Sequence, residues 1–178
     1  MPKPVDEARE LERLRRGDRD AASQFYDRYA ARIHRFLLHA LGAGAPRQDA
    51  EDLMQETFIA VAEALPFFRG DSTLFTFACA IAHRKALSFI RTSARRARIA
   101  STMDAPIDDA IEAPSGDEHL RRAFVALKSD YREVLHLKYD EEATTGEIAA
   151  ILQITEHAVE SRLKRARDAL RKLMEKDR

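Results

Sequence analysis

Few groups in the sequence have the type and spacing that catalysis requires. Cys79 and His83 lie four residues apart, so on a helix they share one face and could supply two zinc ligands or an activated thiol. Cys79 is the only cysteine, and a single cysteine is often a small buried core residue, which is the interpretation we favour. The adjacent carboxylates at 108–109 and 141–142 would point apart, and no glycine-rich phosphate-binding pattern occurs. We therefore expect no catalytic residue, no metal and no cofactor, in a protein that is not an enzyme.

A pattern typical of nucleic-acid binding lies near the carboxyl end. Between Thr144 and Arg167 a short amphipathic segment, a tight connection and a second, basic amphipathic segment follow one another. Thr155 suits the N-cap of the second segment, because its hydroxyl can accept a hydrogen bond from a free backbone N–H. The second segment has one apolar face, formed by Val159, Leu163, Ala166 and Leu170. Its other sides are basic, which suits phosphates and base edges, so the pattern predicts a helix-turn-helix; a hairpin of core helices is the plainer alternative.

The distribution of charge supports a partner that is charged itself. The 178-residue chain has 30 basic and 30 acidic residues, so its formal net charge is zero. Residues 101–118 nevertheless hold six acids and no base, whereas residues 161–178 hold eight bases and three acids. The single cysteine excludes an internal disulfide, and no apolar run approaches a membrane span or a secretion signal. We therefore expect a cytoplasmic protein.

The elements that must position these groups are helices throughout. Apolar residues recur at helical spacing in 5–16, from Asp18 or Asp20 to Leu41, from Asp49 to a stop at Pro66, and from Thr73 onward. Two further helices are expected to meet near residues 129–130, ahead of the helix-turn-helix. The predicted fold is all-α, with two small helical domains joined by a flexible acidic linker. The expected boundaries are 1–98, 99–118 for the linker, and 119–178.

Two surfaces of the first domain remain ambiguous from their residues alone. The third helix leaves Asp52, Gln55, Glu56 and Glu63 outside its apolar stripe, which fits either a solvated face or a docking surface. The loop that follows holds the adjacent aromatics Phe67 and Phe68, which fit either a hydrophobic plug or a platform on which unpaired bases stack.

Two blocks of the sequence resemble a known family. The first block resembles region 2 of bacterial extracytoplasmic-function (ECF) sigma factors of the sigma-70 family, through the segments FYDRY (25–29), DAEDLMQETF (49–58), FFRG (67–70) and IAHR (81–84). The second block resembles their region 4, through YREVL (131–135), EIA (147–149) and VESRLKRAR (159–167). The resemblance implies a factor that binds core RNA polymerase, contacting its β′ and β subunits, and directs initiation at promoter DNA.

The resemblance also implies three sets of binding residues. Docking on the coiled coil of the polymerase β′ subunit is expected of Asp49, Asp52, Leu53, Gln55, Glu56 and Phe58. Contact with the melted −10 element is expected of Phe67, Phe68, Arg69, Asp71, Ser72, His83, Arg84, Lys85 and Ser88. Contact with the −35 element in the major groove is expected of Thr155, Glu156, His157, Glu160, Ser161, Arg162, Lys164 and Arg165. Such factors are commonly held inactive by an anti-sigma factor, and we expect one here. The alternative to a sigma factor is a stand-alone helix-turn-helix regulator that binds DNA without polymerase.

Five positions differ from the usual pattern of the family. The family often has a Trp where Phe77 stands, an Asn where Arg84 stands and an Asp near Ser88, so the −10 sequence preference does not follow from the resemblance. Gln153 replaces the glycine usual in the turn, so we expect a slightly altered turn. Glu160 replaces a usual Lys, which removes one expected phosphate contact and adds a repulsive charge, so we expect weaker binding by region 4 or a shift in its docking.

Overall fold

The protein is helical throughout the part of the chain that the structure describes. The structure is a computed structural model, and it describes residues 4–42, 45–100 and 118–176. Its α-helices are α1 (Pro4–Arg15), α2 (Arg19–Leu41), α3 (Arg47–Ala64), α4 (Leu74–Ala100), α5 (Glu118–Val125), α6 (Ser129–Leu135), α7 (Thr145–Leu152) and α8 (Glu156–Lys176). A 3-10 turn (Leu65–Phe67) follows α3, and a π-helix (His136–Asp140) follows α6. No strand occurs in these three ranges, so the all-α prediction is confirmed; the proposed linker lies almost wholly outside them.

The first bundle forms around α2, with α3 and α4 packed on it and on each other. Ile33, Phe36 and Leu37 of α2 are fully buried at its centre. The stripe predicted by the spacing of the third helix, which consists of Leu53, Thr57, Val61 and Leu65, is buried as well. The Thr57 hydroxyl is satisfied by donating to the Leu53 carbonyl at 2.7 Å. Sequence periodicity therefore identified the core face of this helix correctly.

Side chains from α1 and the loops define where the helices of this bundle begin. Asp18 accepts hydrogen bonds from the backbone N–H groups of Asp20 and Ala21, at 3.0 and 3.1 Å, and so caps α2. Thr73 caps α4 by accepting from Thr76 N–H at 3.1 Å. Glu7 of α1 accepts from Leu74 N–H at 2.5 Å, at the same helix end. The short helix α1 thus helps to hold the loop that precedes α4.

The second bundle contains the predicted helix-turn-helix. A capping box starts α7, in which Thr144 and Glu147 satisfy each other's backbone N–H groups at 2.9 and 3.2 Å. Gln153 ends α7 in the left-handed conformation, with φ 54° and ψ 44°. Thr155 accepts from Ala158 N–H at 3.2 Å and caps α8, as predicted. The backbone expected of glycine is thus kept with glutamine in place, and no alteration at that residue is seen.

The two bundles pack against each other, α4 on α7 and α2 on α6 and the π-helix. Arg32 of α2 donates to Glu141 at 2.6 Å, where the Glu141 side chain is only 3% exposed. Gly42, at φ 93°, ends α2 where a β-carbon would lie 3.0 Å from the Arg132 guanidinium, so a larger residue would be both strained and crowded there. We call this packed state the closed arrangement.

No helix within the described ranges is long and apolar enough to span a lipid bilayer.

Candidate functional site

The outward face of α3 combines acidic and polar side chains with one large apolar one. Asp52, Gln55 and Glu56 are exposed, as the docking hypothesis requires, and Asp49 is partly exposed. Ile59 is 61% exposed on the same face, one turn beyond Gln55. Sequence analysis missed Ile59, although it falls outside the buried stripe and its exposure could have been inferred.

Two other residues predicted for this surface contribute to the core instead. Leu53 is 5% exposed and packs inside the bundle. Phe58 is partly buried, and its ring lies 4.7 Å from that of Tyr26 and 5.8 Å from that of Phe25. In this structure both residues hold α3 in place rather than lie free on its surface.

An ion pair links the α3 face to α4. Lys85 donates to Glu56 at 3.0 Å, and the Glu56 side chain is more than half exposed. The pair joins a residue predicted to meet polymerase to one predicted to meet DNA. Because it is exposed, it contributes little stability, about 0–1 kcal/mol.

The two aromatics of the loop before α4 have different environments. The Phe68 ring stacks on Phe77 with centroids 4.3 Å apart and planes 24° apart. Phe67 is 84% exposed, and its neighbours Arg69 and Asp71 are exposed too, whereas Ser72 is partly buried. Phe68 therefore acts as a hydrophobic plug, and Phe67 is the aromatic that is left accessible for the predicted stacking on a base.

The polar side of α4 is only partly open. Arg84 and Ser88 are exposed and Lys85 is partly buried. The expectation that His83 lies on this outward side is wrong for the closed arrangement: His83 is 6% exposed, with Nδ1 3.3 Å from the Glu133 carboxylate of α6. The reason is that Glu133 of α6 lies against His83, a tertiary contact that the local sequence of α4 does not reveal.

Cys79 behaves as a core residue. It is fully buried, and burial, with a smaller effect of Glu141, raises the pKa of its thiol far above the usual value. Such a thiol is neutral and a poor nucleophile or metal ligand. Within the described ranges Cys79 and His83 join no group of three converging ligands, which supports the core interpretation.

The DNA-facing candidates on α8 are mostly accessible. Exposed are Thr155, Glu156, His157, Glu160, Lys164 and Arg165, while Ser161 and Arg162 are partly buried. Arg165 donates to the Ser161 hydroxyl at 2.8 Å, and Arg162 approaches Asp130 at 3.9 Å. Helix α8 thus carries both acidic and basic side chains on its surface. Glu160 is close in sequence to four basic residues, Arg162, Lys164, Arg165 and Arg167.

The loop before α4 faces the helix-turn-helix in the closed arrangement. An open groove of about 770 Å³ runs between residues 68–76, α1 and the start of α7. Gly146, Glu147 and Ala150 of α7 form its far wall. Part of the loop expected to receive a DNA base therefore lies across an open groove from Glu147 of the other bundle, while Phe67 stays exposed.

Comparison with known proteins assigns both bundles. The model of sigma-70 region 2 matches residues 25–96, and that of sigma-70 region 4 matches residues 117–170. RNA polymerase sigma factor YlaC of Bacillus subtilis (strain 168) is 30% identical over 172 residues, covering 90% of this chain and 95% of that protein. The chain belongs to the sigma-70 family, in its extracytoplasmic-function group. It is thus an RNA polymerase sigma factor, which directs promoter-specific initiation of transcription, and the stand-alone regulator is not favoured.

Other relatives agree with this assignment. The ECF RNA polymerase sigma-E factor of Escherichia coli (strain K12) is 29% identical over 181 residues, covering 90% of each chain. Two solved structures share the fold at 24% identity. The first is CnrH in complex with the cytosolic domain of CnrY, with a TM-score of 0.69 over 97% of this chain and 99% of that chain. The second is the sigma factor RpoE in complex with the anti-sigma factor NepR from Bartonella quintana, with a TM-score of 0.72 over 88% of this chain and 98% of that chain.

Proposed function

We propose that this sigma factor docks on the β′ subunit of core polymerase through the outward face of α3. The observation that carries the proposal is the exposed Ile59 surrounded by the exposed Asp52, Gln55 and Glu56 on a region 2 helix. An apolar centre with a polar rim is the usual anatomy of a protein–protein interface. The acidic rim would set the orientation of a basic partner surface and speed its association.

Promoter recognition is divided between the two regions in this proposal. Residues 1–98 would capture the melted −10 strand, with Phe67 stacking on an unpaired base and Arg69 and Arg84 close to phosphates. Residues 119–178 would place α8 in the major groove of the −35 element. The segment 99–118 would join them.

The closed arrangement cannot engage both promoter elements at once. The two elements are named for positions about 25 base pairs apart, which is about 85 Å of B-DNA. A compact protein of this length is only about 40 Å across. Residues 101–117 and their flanking bonds span at most about 60 Å when fully extended. Separation of the two regions therefore has to precede promoter binding, and the length of the connecting segment permits it.

We also propose an anti-sigma partner that stabilises the closed arrangement. Two solved structures with this fold are complexes, of CnrH with the cytosolic domain of CnrY and of RpoE with the anti-sigma factor NepR. CnrY and NepR are the partners of those two proteins. For this chain, support comes from the exposed apolar side chains Ile59 and Phe67, which such a partner could cover while the regions stay packed.

Asp52→Arg tests the docking proposal. We expect this charge reversal to weaken binding to purified core polymerase at least tenfold and to lower run-off transcription in step. Asp27→Arg, the same change at an exposed position of α2, serves as the control and should leave both unchanged. Binding of Asp52→Arg with the affinity of the unmodified protein would contradict docking through α3. Failure of the unmodified protein to initiate at any promoter of a genomic library would overturn the larger assignment.

A further inference from the structure

Three potential metal ligands converge where α2 packs on the π-helix. His39 comes from α2, and His136 and Asp140 come from the two ends of the π-helix. One ligand atom from each lies within 4.8 Å of the others. We propose that these three side chains bind a divalent transition-metal ion such as Zn²⁺ at the junction of the two sigma regions.

The histidines of this group carry ring nitrogens that the protein does not satisfy. His39 is 0% exposed, and within the described ranges neither of its ring nitrogens has a hydrogen-bond partner. The Nε2 atom of His136, which is 1% exposed, has none either. A buried polar atom without a partner is unfavourable, and most such atoms in folded proteins are paired. A bound cation would give one ring nitrogen of His39 the partner that it lacks.

The geometry suits a tetrahedral ion after small side-chain adjustments, in which the close His136–Asp140 pair separates and the widest separation shrinks. His136 Nδ1 lies 2.8 Å from the Asp140 carboxylate, and the rings of His39 and His136 have centroids 4.5 Å apart. Zinc–ligand bonds of about 2.0–2.1 Å place tetrahedral ligand atoms about 3.4 Å apart. Because the three ligand atoms already lie within 4.8 Å of one another, rotation of the side chains can bring them to these separations. The Asp140 side chain is 43% exposed, which leaves a path for the ion and room for a water as fourth ligand.

A further carboxylate lies close to His136, just beyond hydrogen-bond distance, where a small shift would let it accept from the ring. Glu141 Oε1 lies 3.6 Å from His136 Nε2, on the side of the ring away from Asp140, and Glu141 is itself held by Arg32 at 2.6 Å. Metal-bound histidines commonly donate their second ring N–H to a carboxylate, which fixes the ring and raises its basicity. π-Helices are rare and occur frequently at functional sites, as this one would.

The ligand set selects the class of ion. Two imidazoles and one carboxylate suit Zn²⁺, Co²⁺, Ni²⁺ or Cu²⁺, whereas Mg²⁺ and Ca²⁺ prefer oxygen ligands alone. The regulatory consequence rests on the proposed opening of the protein. Because His39 belongs to region 2 and the other two ligands to region 4, the complete site exists only in the closed arrangement. An ion at 100 times its dissociation constant would then favour that arrangement about 100-fold.

The test is a titration of the full chain, freed of metal by chelation, with Zn²⁺ alone. We expect one equivalent to bind, no comparable binding of Mg²⁺, and a visible absorption band of tetrahedral Co²⁺ when cobalt is used. His39→Gln and Asp140→Asn should each weaken binding at least tenfold. His157→Gln, which removes an exposed imidazole of α8, should bind as the unmodified protein does.

Asp140→Asn protects the test against misfolding, since Asp140 lies at the exposed edge of the site. Equal zinc binding by the unmodified protein, Asp140→Asn and His157→Gln would overturn the inference, as would the absence of stoichiometric binding. Neither outcome depends on polymerase or promoter DNA, so failure here is distinguishable from failure of the proposed docking.

Discussion

Glu160 is the residue that we expect to make the DNA affinity of this sigma factor differ most from that of its relatives. It is exposed on α8, one residue before Ser161 and near the basic side chains of the same helix. A carboxylate at a phosphate-facing position repels the DNA backbone and lowers the number of counterions released on binding.

Glu160→Lys should therefore tighten promoter binding by the holoenzyme. We expect about a fivefold gain, or about 1 kcal/mol, and a steeper salt dependence of the binding constant. Fluorescence anisotropy with labelled promoter DNA over a series of salt concentrations measures both. Glu175→Lys makes the same charge change at the exposed end of α8 and is the control. Unchanged or weaker affinity of Glu160→Lys would contradict a DNA-facing position.

Gln153 is strained in the turn of the helix-turn-helix, because a residue with a β-carbon occupies left-handed backbone space there. We expect Gln153→Gly to raise the free energy of unfolding. Relief of the strain contributes about 1 kcal/mol, and the greater freedom of glycine in the unfolded chain reduces this gain. Urea denaturation measures the change. Gln153→Ala keeps the β-carbon and should show no such gain; if glycine gives no more stability than alanine, the strain is absent.

At the residue scale, local chemistry was predictable, whereas the different exposure of the two loop aromatics was not. Thr155 was identified as a cap from its hydroxyl and its place before an apolar repeat, and the structure confirms it. Phe67 and Phe68 are chemically identical in sequence, yet one is exposed and the other stacks on Phe77. Only the position of α4 distinguishes them, and that position depends on tertiary packing.

At the scale of elements, the loop before α4 carries one aromatic that packs on the bundle and one exposed aromatic that we propose contacts DNA. Phe67→Ala should reduce promoter melting, with a loss of about 1–3 kcal/mol if one base stacks on this ring, and should leave the thermal midpoint unchanged. Fluorescence of 2-aminopurine placed in the −10 element reports the opening. Phe68→Ala is the complementary variant and should lower the thermal midpoint, because it removes the stack on Phe77. Normal melting by Phe67→Ala would exclude Phe67 as the platform.

The helices themselves were largely predictable, because each follows a periodic apolar stripe between recognisable ends. Asp18, Thr73 and Thr155 cap the helices that the pattern anticipated. The π-helix at 136–140 was not anticipated, since its sequence has no signature distinct from the end of an α-helix. Glu141, the residue directly after it, is held by Arg32 of the other bundle, a long-range contact that the local sequence does not show.

At the scale of the whole molecule, the closed arrangement is the feature that sequence alone did not predict. Helix α2 buries its last turns against α6 and the π-helix, and burial there lowers the pKa of His39 to about 3, so its imidazole is neutral near pH 7. His83 and Glu133 meet across the same junction. Contacts between residues so distant in sequence leave no local sequence pattern, so the closed arrangement was not predictable. The presence of two domains was predicted from the two family blocks and the acidic segment between them.

The central claim is that this sigma factor is closed when free and open on its promoter. Single-molecule energy transfer between dyes at Ser23→Cys and Lys172→Cys tests it most directly, because both positions are exposed and the buried Cys79 does not compete for labelling. We expect high transfer efficiency for the free protein and a large fall in the promoter-bound holoenzyme. An efficiency that stays the same in both states, in a labelled protein that still initiates transcription, would contradict the account.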